Sequence, residues 1–257
     1  MGRSYRISSQ GYQLSVEEIG EGLPIIFAHG LGGNREITRQ QWESVADRCR
    51  VVCFDQRGHG ESSPVIDPES YNPVSMGEDF VNIMDVLEIP RAVLGGISMG
   101  ACTAMFCAVA FPDRVLTLLQ AGPAFHEDVR PQHQELAKIG DMLIEIGIEG
   151  TITAIAEQWR ELGMPQEAIL EMERLYRSYH PQSMALAYQT VAKWKIPPGL
   201  WSQLEMPVRI LAWRGDPIHD FAIAQSMSSA ISNALLMEIP GVFTPNLGEI
   251  FYENFLA

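Results

Sequence analysis

The chain has 257 residues, of which 46% are hydrophobic, enough to bury one sizeable core in a single domain that carries an insertion. Its 18 Lys and Arg against 32 Asp and Glu leave a formal net charge of −14, which argues against a nucleic acid or another polyanion as partner. No run of eighteen apolar residues offers a membrane span. No apolar stretch follows the first arginines as it would in a secretory leader, and the four cysteines, read as reduced core thiols, make the cytoplasm the expected location.

In chain order, residues 4–8 and 12–19 read as two strands joined by Ser9-Gln10-Gly11 into an edge hairpin. The apolar run Pro24-Ile25-Ile26-Phe27 reads as a strand ending in the glycine-rich loop Ala28-His29-Gly30-Leu31-Gly32-Gly33. A helix is expected near 36–47, then a strand near 50–54 that runs into the polar turn Asp55-Gln56-Arg57-Gly58-His59-Gly60-Glu61-Ser62. A helix over 73–88 follows, with Val81, Met84, Val86 and Leu87 at helical spacing. The strand 91–95 leads into Gly96-Ile97-Ser98-Met99-Gly100, and a run rich in helix formers continues to 110. Further strands are expected near 115–120, 207–213 and 234–239, with helices near 219–231 and 246–256. This alternation predicts an α/β fold: a mainly parallel eight-stranded sheet with helices on both faces. Reactive residues should then lie at the carboxyl ends of the strands.

The segment 122–203 breaks the alternation. Its helical runs near 131–147, 150–162, 165–177 and 181–194 make it too long for a plain loop. The expected division is a core domain of residues 1–121 and 204–257, with 122–203 as an inserted helical cap. Met142, Leu143, Ile146, Ile152, Ile155, Trp159, Tyr176, Tyr188 and Trp194 give that insertion large apolar surfaces. Some should pack on the core and some should roof a pocket for a small or medium-sized ligand with a substantial apolar part.

The segment 96–100 has the form G-x-S-x-G between a strand and a helix. That context puts Ser98 on a sharp corner with its hydroxyl exposed above the sheet and helix N–H groups nearby. A serine hydroxyl is a poor nucleophile at neutral pH and needs a base within hydrogen-bond reach. The loop at 30–33 lacks the G-x-G-x-x-G spacing of a dinucleotide site. The cysteine spacing matches no zinc pattern. No cofactor and no metal are therefore expected.

The His-Gly-x-Gly loop at 29–32, the block at 55–62 and the serine motif together resemble the α/β-hydrolases. Within that superfamily the chain is similar to the small esterases, enol-lactonases and carbon–carbon bond hydrolases. The resemblance implies Ser98 as nucleophile, the N–H groups of Met99 and Leu31 as oxyanion hole, and Asp216, which precedes Pro217, as the orienting acid. It also implies a histidine after the last strand, where this chain has Phe243. Phenylalanine has no lone pair and can take no proton. Three accounts stand open: a deliberate knockout of the base, a natural loss of the triad in favour of binding or different chemistry, or a base supplied by another residue. For the last, His219, three residues beyond Asp216, and His29, beside the oxyanion loop, are the first candidates. His59 is expected to brace a loop, His180 to mark a helix end, and His126 and His133 to open the insertion where they could face the pocket.

The implied activity is hydrolysis of a small or medium, partly apolar ester or lactone, lost in this form if nothing replaces the base. The alternatives are hydrolysis of a carbon–carbon bond in a β-diketone type substrate and non-catalytic binding of a small ligand. The expected partner is a small molecule, not nucleic acid or membrane, with homo-oligomerisation left open. Arg57 is expected to pair with a local carboxylate, and Asp79 and Asp85 to be surface or strap residues.

Overall fold

β1 (Arg3–Ser9) and β2 (Tyr12–Ile19) form the antiparallel edge hairpin in a computed structural model that describes residues 2–161, 165–216, 218–241 and 246–256. Beyond it lie β3 (Leu23–Ala28), β4 (Cys49–Phe54), β5 (Ala92–Ile97), β6 (Val115–Ala121), β7 (Val208–Ala212) and β8 (Ala234–Glu238). They form one eight-stranded sheet in the order β1-β2-β4-β3-β5-β6-β7-β8. Every pairing from β4 to β8 is parallel, and β2 joins β4 antiparallel. Because β3 pairs with β4 on one side and β5 on the other, the strand order reverses there. A crevice for ligand is expected beyond the carboxyl ends of such a pair.

The inner strands are apolar on both faces because helices cover both. Ile25, Val51 and Val93 pack in one core with Trp42 and Phe251. Their neighbours Ile26, Val52 and Leu94 point the other way, into a core with Phe80, Met84 and Met105. This is the two-fold alternation of a strand between two buried layers. The flanking helices are α1 (Arg35–Trp42), α2 (Pro73–Val86) and α3 (Met99–Ala110). α1 is shorter than expected, because its chain tightens into a 3₁₀ turn over Glu43–Val45, a common way to end a helix.

Between β6 and β7 come α4 (Pro131–Glu145), α5 (Gly147–Glu161), α6 (Gln166–Arg177) and α7 (Pro181–Val191). α8 (Phe221–Ala230) and α9 (Leu247–Phe251) follow β7 and β8. α9 covers only the first part of the expected 246–256 helix, and Tyr252–Leu256 continues as a π-helical turn. The four inserted helices share their own cluster of Leu143, Ile152, Ile155, Leu175, Tyr176 and Tyr188. Trp159 packs against it, but Ile146 is exposed and Trp194 belongs to the sheet-side core. The insertion is tied down by polar bonds as well. The Trp194 indole N–H donates to the Tyr71 carbonyl at 2.9 Å, and the Tyr71 hydroxyl donates to the Ser183 carbonyl at 3.0 Å.

Asp79, expected as a surface or strap residue, does not lie at the surface. It is 1% exposed and takes a two-pronged ion pair from Arg57, at 2.7 and 2.8 Å, together with the Ser9 hydroxyl. The turn after β4 folds Arg57 beneath α2, where only a carboxylate on the helix's inner face can answer its charge. Asp85 does lie at the surface, paired with Arg114. Arg57→Met should cost roughly 3–5 kcal/mol, because it leaves a buried charge uncompensated. The double variant with Asp79→Leu should recover a large part of that loss, read from urea unfolding midpoints.

Candidate active site

Ser98 follows β5 directly and starts α3, with backbone angles of φ 54° and ψ −109°. A serine rarely adopts that conformation, and it is held here by its surroundings. The Ser98 N–H donates to the Ala121 carbonyl at 3.0 Å, and the Ser98 carbonyl accepts from Cys102 N–H at 3.0 Å. The flanking glycines are required by contact. A Cβ on Gly96 would collide with the Gly100 backbone, and one on Gly100 with the carbonyls of Ala28 and His29. The α3 N-terminus is thereby pressed against the end of β3, and its first N–H groups, Met99's included, have no earlier helical turn to bond to.

The loop after β3 carries Leu31. Gly33 N–H donates to the Gly30 carbonyl at 2.9 Å, closing a tight turn. His29 donates from Nδ1 to the same Gly30 carbonyl at 2.7 Å and accepts at Nε2 from the Gln56 N–H at 3.0 Å. His59 donates from Nδ1 to the Arg57 carbonyl at 2.9 Å and accepts at Nε2 from the Gly32 N–H at 3.3 Å. Burial lowers the His29 pKa to about 4 and the His59 pKa to about 3. Both rings are neutral braces of the loop. His29, a candidate base on sequence grounds, has both nitrogens committed to the backbone and no lone pair left for Ser98.

Asp216 lies in the loop between β7 and α8, four residues past the strand end. Its Oδ1 accepts the N–H groups of Ile218 at 2.7 Å and His219 at 2.9 Å. Its Oδ2 receives His219 Nδ1 at 2.9 Å. Burial alone would raise the Asp216 pKa, but the His219 ring and these N–H donors hold it below the ordinary carboxylate value. Donation from Nδ1 leaves the lone pair of His219 on Nε2. That atom is buried and has no hydrogen-bond partner among the described residues. The ring stands edge-on to Trp213 at 5.3 Å. A Cβ on Gly122 would lie 3.3 Å from its Cγ, so the imidazole sits beside the residue that follows β6, whose last residue, Ala121, accepts the Ser98 N–H. Phe243 lies outside the described residues.

Beside Ser98 lies a crevice of about 10 Å³, room for about one water molecule, walled by Met105, Phe125, Ile196, Trp201 and Met227. None of these five stands out in the sequence, since a Met, Phe or Ile facing a cleft has the same pattern as one facing the core. Cys102 also lines it, but burial pushes its thiol well up and keeps it protonated and unreactive. His133 is fully buried with its ring 5.1 Å from Phe125, and the His126 ring lies 5.6 Å from Trp201. His126 Nδ1, Arg130 Nε, Gln132 Oε1 and His133 Nε2 are buried without a hydrogen-bond partner among the described residues. This run of unanswered polar atoms leads from the end of β6 into α4. Among the described residues no three His, Cys, Asp or Glu side chains are placed to hold a metal ion. Likewise, no described helix is long and apolar enough to cross a membrane.

The two brace histidines make stability depend on pH. Each takes up a proton near pH 6.5 when the chain unfolds, but only near pH 4 or 3 when folded. The unfolded state therefore binds more protons below pH 6.5, and stability falls as pH drops from there toward 4. Each contributes a slope of up to about 1.4 kcal/mol per pH unit. Urea unfolding between pH 7 and 4.5 should show that slope, and His59→Gln should make it shallower.

Residues 24–241 match the family described as alpha/beta hydrolase fold. A curated relative, 3-oxoadipate enol-lactonase 2 of Acinetobacter baylyi, is 28% identical over 215 residues, spanning 82% of this chain and 78% of its own. The enol-lactonase of Burkholderia xenovorans superposes with a TM-score of 0.78 at 19% identity, covering 92% of this chain and 91% of the other. A thermophilic esterase from Thermogutta terrifontis gives 0.78 at 22% identity, covering 93% and 90%. At those identities the two structures speak for the fold, and the family match covers most of the chain. The chain belongs to the alpha/beta hydrolase fold family.

Proposed function

We propose that this protein hydrolyses a small, partly apolar ester or lactone through an acyl-serine on Ser98, with His219 as base and Asp216 as its orienting acid. The observation that carries this reading is the Asp216–His219 hydrogen bond, with the far nitrogen of the ring left without a partner among the described residues. His219 Nε2 takes the Ser98 proton as Oγ attacks the carbonyl carbon. The oxyanion settles on the N–H groups of Met99 and Leu31. The leaving oxygen then departs with the proton from His219. Water, deprotonated by the same imidazole, attacks the acyl-serine and releases the acid, regenerating Ser98. Asp216 keeps the proton on Nδ1 and stabilises the imidazolium formed in each half. Phe243 supplies no step. The helical segment 122–203 serves as the cap.

The apolar lining beside Ser98 supports a short acyl or alcohol group, which the crevice must widen to admit. The enol-lactonase relative supports a lactone among the candidate substrates. The unanswered polar atoms from His126 to His133 support a second polar group on the substrate, away from the scissile bond.

A panel of short acyl esters, lactones and β-diketones tests the reading. Ser98→Ala and His219→Gln should each lower kcat by roughly three orders of magnitude or more. Turnover that survives Ser98→Ala would remove the acyl-serine. Turnover that survives His219→Gln, with a large gain in Phe243→His, would move the base position back to residue 243. Preference for the β-diketones would favour carbon–carbon cleavage. His133→Phe should raise KM severalfold for substrates with a remote carbonyl or carboxylate and leave alkyl esters of the same length unchanged.

A further inference from the structure

We propose that Tyr179 is a positioning residue for the oxyanion hole: its hydroxyl, reaching out of the helical insertion to the Gly32 carbonyl, orients and polarises the Leu31 N–H through two consecutive peptide groups. The inference rests on the role of Leu31 proposed above.

Tyr179 lies in the short turn between α6 and α7. It is 5% exposed, its ring is 5.0 Å from that of Tyr176, and its hydroxyl donates to the Gly32 carbonyl. Burial pushes its phenol well above the ordinary value, so it stays a proton donor throughout the neutral range. The approach is close from a second side as well, since a Cβ on Gly32 would collide with the Tyr188 hydroxyl. Tyr188 is bonded in turn to Tyr176, at 2.7 Å. Leu31 itself packs against this same tyrosine-rich cluster.

The bonds then run in one direction. The Gly32 carbonyl and the Gly33 N–H are the two ends of one peptide group. That N–H donates to the Gly30 carbonyl at 2.9 Å. The Gly30 carbonyl and the Leu31 N–H are the two ends of the next group. Because a peptide group is planar and trans, holding its carbonyl aims its N–H the opposite way. A donor on the first carbonyl therefore steadies the Leu31 N–H two groups away, adding to the hold of His29, whose Nδ1 also donates to the Gly30 carbonyl at 2.7 Å. Chains of hydrogen bonds also polarise one another, by perhaps 10–30% per bond, so the Leu31 N–H becomes a stronger donor toward developing negative charge. His59 holds the Gly32 N–H at 3.3 Å and keeps the intervening peptide from turning. His59 and Gly33 come from the core, and Tyr179 alone in this relay comes from the insertion. Seating the insertion and completing the hole are then one event.

Tyr179→Phe removes only the hydroxyl. Tyr176→Phe is the control, because its hydroxyl bonds Tyr188 in the same cluster and not the loop. Three readouts are taken: kcat and KM on an ester or lactone that the unmodified protein turns over, affinity for a short alkyl boronic acid against that for the product carboxylate, and amide hydrogen exchange over residues 29–34. Tyr179→Phe should lower kcat about tenfold, short of the loss from deleting an oxyanion donor outright, with KM near its starting value. It should weaken the boronic acid and spare the carboxylate, and speed exchange at Leu31 and Gly33. Tyr176→Phe should do none of these. Equal effects in the two variants, equal loss of both ligands, or unchanged kcat and exchange would overturn the proposal. Should Tyr179→Phe fail to fold, 3-fluorotyrosine at position 179, a stronger donor of nearly the same shape, carries the test: kcat rises if the relay acts and is unchanged if the phenol only packs. Turnover surviving Ser98→Ala removes the acyl-serine reading, while the exchange result still reports on the relay.

Discussion

The close crossing of β5, α3 and the end of β3 is the constraint on which the site depends. Gly96 and Gly100 leave no room for a side chain between strand and helix. The chain can make the turn only if the residue between them accepts a positive φ, and that residue is Ser98. Backbone strain of this kind costs of order 1–3 kcal/mol and persists only where the surroundings enforce it. Here they are the buried apolar length of α3 on one side and the Ala121 carbonyl on the other. The result sets Ser98 at the corner between β5 and α3, with the start of α3 pressed against the end of β3 that leads into the Leu31 loop.

Around that crossing the polar residues form a scaffold more than a reaction surface. His29, Gln56 and Thr103 make a continuous buried chain: the Gln56 N–H bonds His29, and the Gln56 carboxamide accepts from the Thr103 hydroxyl at 3.0 Å. Asp55 is spent on Arg35 and on the N–H of Glu61, and Arg57 on Asp79. A buried polar group left unpaired is costly, so each of these side chains has a backbone or ionic partner. This is why the block 55–62 marks the fold so well and says so little about substrate. Its members are consumed in holding β4's turn against α2 and the loop after β3.

The acid and the histidine occupy one loop, three residues apart. One carboxylate oxygen of Asp216 gathers the N–H groups of Ile218 and His219, and the other meets the ring. The same side chain thus shapes the turn and sets the tautomer. An imidazole delivered by a short turn needs no second strand end to place it, and among the described residues its Nε2 has no hydrogen-bond partner. The insertion contributes from the opposite side, through Ile196 and Trp201 in the cleft wall and Tyr179 on the loop.

By itself the sequence determined the architecture, because apolar strands of five to eight residues alternating with amphipathic helices have few other ways to bury both faces. It also determined the corner at Ser98, since two glycines flanking a serine between strand and helix carry their own local geometry. It placed Leu31 and Asp216 at strand ends for the same reason. The tertiary structure alone decided which histidines are free. His29 and His219 both sit in loops beside candidate residues, and only three-dimensional hydrogen bonding shows His29 consumed by the Gly30 and Gln56 backbone and His219 left, among the described residues, with an unbonded Nε2. It decided that Asp79 is buried, because a carboxylate on a helix looks the same in sequence whether it faces water or Arg57. It also decided which apolar side chains of the insertion wall the cleft and which pack together. Helical spacing says that a face is apolar, while the surface that face meets depends on contacts between segments far apart in the chain.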